Sequence, residues 1–197
     1  LQPFLPQGHK IDQSRDRRLN NLREYLAEAY SVHSAATHLM DSDPEWDFMA
    51  VYYRAIDEIS HHFMHYHPPQ MAGIPDGDFD IYQHVINATY RAHDMMLQVL
   101  LQKAGPDTTV ILVSDHGFHS DHLRPKFTPR VPAGITVWHR NQGVLLAKGP
   151  GIKPDSQVYG SRLLDIAPTI LHAFGLPVGN DMEGRVLTEL FQESLPI

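Results

Sequence analysis

The segment Thr109-Val110-Ile111-Leu112-Val113-Ser114-Asp115-His116-Gly117-Phe118 constrains the fold more than any other part of the chain. Its β-branched, apolar run has strand length. Gly105-Pro106 precedes it and Gly117 follows it, so it reads as a strand buried on both faces. Strands of that kind belong to parallel or mixed sheets covered by helices. Open α/β sheets bind ligands at the carboxyl ends of their strands, and Asp115 and His116 lie at that end. A carboxylate oxygen beside an imidazole nitrogen suits a divalent cation such as zinc, and Gly117 permits a sharp turn there. An Asp turn cap followed by an unrelated His accounts for the dipeptide equally well.

The rest of the composition narrows the function classes. The chain has 197 residues, 42% hydrophobic and 20% charged, enough for one α/β domain with a sizeable core. A net charge of -7 gives no basic footprint for nucleic acid. There is no cysteine, which excludes disulfides, thiolate metal sites and thiol nucleophiles and leaves the compartment open. No apolar run approaches a membrane span, and no signal peptide is visible. The chain opens at Leu1 rather than Met, as a processed product or a piece of a longer protein would. The unusual number is 14 histidines, and histidine is the commonest protein metal ligand.

Pro3, Pro6 and Gly8 make residues 1–13 a loop. From Arg15 to Met40, apolar residues recur at three- and four-residue steps, the pattern of an amphipathic helix. Asp47 to Tyr53 reads as a second buried strand. If the following segment is helical, Asp57 and His61 are one turn apart on a shared face, just past a strand's carboxyl end. That is half of a metal site; the alternative is a surface i,i+4 pair worth a few tenths of a kcal/mol. His62, His65 and His67 read as site lining or solvated face. Asp78 to Lys103 forms the longest helix. Residues 118–138 form an irregular loop whose Arg124, Lys126 and Arg130 could meet an anionic substrate; a solvated surface loop fits equally well. A third strand spans 143–148, and a helix runs from Ser161 to Phe174. The fold class is α/β, with a mostly parallel sheet and helices on both faces.

Four fragments stand in order: Asp57-x-x-x-His61; Ser114-Asp115-His116-Gly117; Trp138-His139 followed by Gly143-Val-Leu-Leu-Ala-Lys-Gly149-Pro150-Gly151; and Leu164-Asp165-Ile166-Ala167-Pro168-Thr169 with Gly175-Leu176-Pro177. Together they resemble the carboxyl-terminal half of the alkaline phosphatase superfamily, in its type I phosphodiesterase/nucleotide pyrophosphatase branch, over roughly residues 45–190. The resemblance implies an alkaline phosphatase-like fold, incomplete at its amino terminus, with residues 1–197 forming one domain.

It also implies two divalent cations about 4 Å apart, zinc in the first place and manganese as the alternative. One would take Asp57, His61 and His139. The other would take Asp115 and His116, plus an Asp and a nucleophilic Thr or Ser expected upstream. No strand ending in Asp before a helix-opening Thr or Ser precedes residue 47, so no catalytic nucleophile is identified in this chain. The implied reaction is in-line attack on a phosphate ester or phosphodiester, then hydrolysis of a phosphoenzyme. The implied partners are a phosphorylated small molecule and the missing amino-terminal half. The competing reading is a metal-binding or interaction domain without turnover.

Overall fold

Helix α1 (Arg18–Ser42) realises the first amphipathic pattern. Leu19, Leu22, Leu26, Ala29 and Ala36 are buried along one stripe. In the computed structural model, which describes residues 1–192, the chain forms two compact units. One comprises Leu1–Ala104 with Phe118–Arg140; the other comprises Gly105–Gly117 with the described residues 141–192.

The first unit is helical. Helix α2 (Ala55–Phe63) continues into a 3-10 turn, Met64–Tyr66. Helices α3 (Asp76–Tyr82) and α4 (Val85–Ala104) follow. The continuous helix expected over Asp78–Lys103 is therefore divided at Gln83-His84, and α1, at 25 residues, is the longest. Ala55, Ile59 and Phe63 recur every fourth residue of α2 and are buried in one cluster with Leu22, Tyr82 and Val85. Each large side chain removed from water in this way contributes about 1.5–3 kcal/mol.

A polar knot closes the same unit. Asp16 accepts hydrogen bonds from Arg18 Nη2 at 2.6 Å and Tyr82 Oη at 2.6 Å. Arg18 also reaches Asp78 at 2.8 Å and lies over the Tyr82 ring, 4.5 Å from its centre. Burial alone would raise the Asp16 carboxyl, but the bonds from Arg18 and Tyr82 outweigh it and hold it at about 2.

The second buried strand expected at Asp47–Tyr53 does not form. The segment has no regular secondary structure, though exposure alternates along it, with Met49, Val51 and Tyr53 half-buried and Phe48 and Tyr52 exposed. No strand among the described residues pairs with it. Period-2 patterning fixes which way side chains point but does not supply a ladder partner.

In the second unit, β1 (Val110–Ser114) pairs with β4 (Val144–Lys148). The pairing is antiparallel, from Val110 opposite Lys148 to Ser114 opposite Val144. A separate short ribbon pairs β2 (Gly117–Phe118) with β3 (His139–Arg140); its Phe118, His139 and Arg140 belong to the first unit. The mixed helix-and-sheet composition is that of an α/β protein, but a mostly parallel sheet is not what the described residues form. Nor is β1 buried on both faces: Leu112, Val113, Val144 and Leu146 are exposed. The reason is that β1 has β4 as its single partner among the described residues, and a two-stranded pair cannot enclose apolar side chains on both faces.

Helix α5 (Ile166–Ala173) belongs to this unit too. Ahead of it, Asp165 is buried and accepts the backbone N–H groups of Arg162 and Arg185 at 2.7 and 2.9 Å. Thr169 Oγ1 donates to the Asp165 carbonyl at 2.6 Å and accepts the Leu187 N–H at 3.0 Å. The Asp-x-x-Pro-Thr motif thus fastens the chain after α5 to the helix.

Two outcomes test this description. A Cβ on Gly143 would lie 1.9 Å from the Ser114 carbonyl oxygen, so Gly143→Ala should destabilise the chain by about 1–3 kcal/mol in urea unfolding. His65 is pushed down to about 4, chiefly by burial and then by the charge of Arg18. Its unfolded-state value of 6.5 is higher, so the unfolded chain takes up the proton first as pH falls. Stability present above pH 6.5 should be lost progressively between pH 6.5 and about 4, and His65→Phe should flatten that part of the melting-temperature profile.

Candidate metal site

Helix α2 has two faces with different tasks. Ala55, Ile59 and Phe63 face the core, while Asp57 and His61, offset from them by two residues, project from the other side. There they meet His139, which opens β3. His61 Nε2 lies 3.3 Å from Asp57 Oδ1. His139 Nε2 lies 3.4 Å from the same oxygen and 2.9 Å from His61 Nε2. These three residues are the one group of metal-ligand type found among the described residues.

The triangle has the dimensions of one face of a zinc coordination tetrahedron. Ligand bonds of about 2.0–2.1 Å give tetrahedral edges of about 3.3 Å. The donor set, two imidazole nitrogens and one carboxylate oxygen, suits zinc and also manganese. Two neutral imidazoles with their lone pairs facing each other at 2.9 Å repel, unless a proton or a cation lies between them. Burial lowers the His61 pKa; Asp57 opposes the shift and His139 adds to it. A neutral ring is the ligating form.

Aromatic rings wall the triad. The Phe118 ring stands edge-on to His61 at 4.9 Å and tilted to His139 at 5.5 Å. Trp138 stacks behind it at 6.3 Å and donates its indole N–H to Thr128 Oγ1 at 2.9 Å. Sequence reasoning did not find Phe118 or Trp138, although both directly adjoin residues that it singled out.

Asp115 and His116 occupy the end of β1, as expected. The His116 N–H is bonded to Asp115 Oδ1 at 3.1 Å. Its Nδ1 donates to the Gly117 carbonyl at 3.1 Å, which leaves Nε2 the lone pair, 3.8 Å from Asp115 Oδ2. A backbone acceptor on the other ring nitrogen is the usual way a ligating imidazole is oriented.

Among the neighbouring histidines, His62 Nε2 pairs with the Tyr25 hydroxyl at 3.0 Å, and His65 packs on Tyr66 with ring centres 3.9 Å apart. Neither joins the triad. Lys126 and Arg130 are exposed on the 118–138 loop. Arg124 is not exposed. It is buried, and its guanidinium donates to the backbone carbonyls of Met64, His67 and Pro69. That arrangement differs from the substrate contact expected of it: the donors that would meet an anion are already engaged.

A family model described as type I phosphodiesterase / nucleotide pyrophosphatase matches residues 4–151. The match takes in α1, the triad and the Asp115-His116 pair, and it stops before the Asp-x-x-Pro-Thr helix. No curated protein and no solved structure matches the chain.

In equilibrium dialysis against a competing chelator, His139→Ala and His61→Ala should each weaken zinc binding by more than about 100-fold, because disturbing even an outer-shell partner of a ligand costs about 10- to 100-fold. Lys126→Ala should leave it unchanged.

Proposed function

This chain belongs to the type I phosphodiesterase / nucleotide pyrophosphatase family, and we propose that it is a metal-dependent hydrolase of phosphate esters or phosphodiesters. The observation that carries the proposal is the convergence of Asp57, His61 and His139 within 3.4 Å of one another.

Asp57, His61 and His139 would hold one cation, with zinc the first choice and manganese the second. Asp115 and His116 are assigned to a second. A cation held by the triad would neutralise charge developing on phosphoryl oxygens and lower the pKa of a coordinated hydroxyl or water. The chain's own contribution is to fix the ligands and to exclude water from their apolar side with Phe118 and Trp138. Lys126 and Arg130 are the cations that we assign to the phosphate of a small-molecule substrate, with residues 1–197 serving as one α/β domain. No described residue is assigned the part of nucleophile.

The second reading is a metal-binding or interaction domain of the same family without turnover. Two measurements on one preparation separate the two. The chain loaded with manganese should enhance the ³¹P relaxation of dimethyl phosphate, and Asp57→Asn should remove the enhancement. Metal-dependent hydrolysis of bis(p-nitrophenyl) phosphate would establish turnover. Manganese bound at the triad with neither relaxation enhancement nor hydrolysis would overturn the hydrolase proposal and leave the binding domain.

A further inference from the structure

The ligands of the triad come from two segments 78 residues apart in sequence, α2 and β3. A metal site works only if such segments are held to within about 0.5 Å. Packing of Phe118 against the rings restricts their tilt but does not tie one backbone to the other. A hydrogen-bonded path does.

Arg124 is 7% exposed. Its Nη1 donates to the Met64 carbonyl at 3.2 Å and to that of His67, and its Nη2 donates to the Pro69 carbonyl. These acceptors lie just beyond the carboxyl end of α2, where a cation is favoured; the Met64 carbonyl also accepts the His67 N–H at 3.1 Å. Arg124 Nε donates to the Asp121 carbonyl at 3.1 Å. The Asp121 carboxylate accepts the Leu123 N–H at 2.9 Å and the Arg140 guanidinium at 2.5 Å. Arg140 directly follows His139.

We propose that Asp121 and Arg124 are positioning residues: together they brace the end of α2 against β3 and so set the distance between His61 and His139. The path runs from Met64, His67 and Pro69 through Arg124 to Asp121, and from Asp121 to Arg140. Arginine suits this place because its planar fork reaches several acceptors in fixed directions, which a lysine ammonium does not. A buried cation bonded to carbonyls is costly to desolvate, so an apolar residue of the same volume would serve if packing were the only need. The consequence for metal affinity rests on the function proposed above; the consequence for ring geometry does not.

The test compares the wild-type chain with Arg124→Met, Arg124→Lys and Asp121→Asn in two readouts. The first is cobalt(II) affinity together with the visible absorption of the bound ion. The second is the nuclear Overhauser effect between the His61 and His139 ring protons in the metal-free, histidine-labelled chain. Arg124→Met and Asp121→Asn should each weaken cobalt binding about 10- to 100-fold, alter the absorption and diminish the ring-to-ring effect. Arg124→Lys should recover part of all three. Asp121→Asn keeps volume and the carbonyl link, so it carries the test if Arg124→Met fails to fold. Unchanged affinity, absorption and ring contact in both variants would overturn the brace, as would a missing ring contact in the wild type. Loss of ring contact in the variants of a chain that takes up no cobalt would keep the brace and overturn the metal proposal.

Discussion

The first unit's site is organised by one contact, two imidazole nitrogens held 2.9 Å apart with a carboxylate oxygen 3.3 and 3.4 Å from them. An N–H of one ring donating to the other satisfies the pair of nitrogens, whereas a divalent cation satisfies all three atoms at once. The burial of His61, 6% exposed at its side chain, lowers its pKa towards the neutral ring, and a neutral ring is the form that ligates a cation. The surrounding features of the first unit serve this contact: the two-faced helix α2, the aromatic wall of Phe118 and Trp138, and the tie from Arg124 to Asp121.

Helix α2 shows how nine residues can carry both stability and site. Its every-fourth-residue apolar stripe commits it to the core, which fixes the helix in rotation as well as position. Once Ile59 and Phe63 are fully buried, Asp57 and His61 have no freedom to face elsewhere. The site is therefore placed by hydrophobic packing on the opposite side of the same helix.

How much of this was legible in the sequence differed by element. Helix α1 was, because its apolar residues keep one period for six turns. The strand at 110–114 was also found at its boundaries, and the one expected at 143–148 begins one residue later, at Val144. Their pairing was not, because an apolar run reports burial and says nothing of direction or neighbours. Asp47–Tyr53 was read as a buried strand from its short apolar run, and such a run does not supply a ladder partner. The Asp57/His61 half of the triad followed from i,i+4 spacing, whereas His139 entered only through the family resemblance, since no local pattern links residues 78 positions apart. Arg124 shows the opposite limit. As a basic residue in a polar loop it suggested an anion contact, yet its guanidinium turns inward to backbone carbonyls that no sequence pattern marks as acceptors.

Zinc K-edge X-ray absorption of the zinc-loaded chain tests the central claim most directly. The triad predicts two imidazole nitrogens and a carboxylate oxygen at about 2.0–2.1 Å from the metal, with outer-shell scattering from two rings that disappears when His61 and His139 are both replaced by Ala. A first shell of oxygen alone, with no imidazole scattering from the wild-type chain, would contradict it.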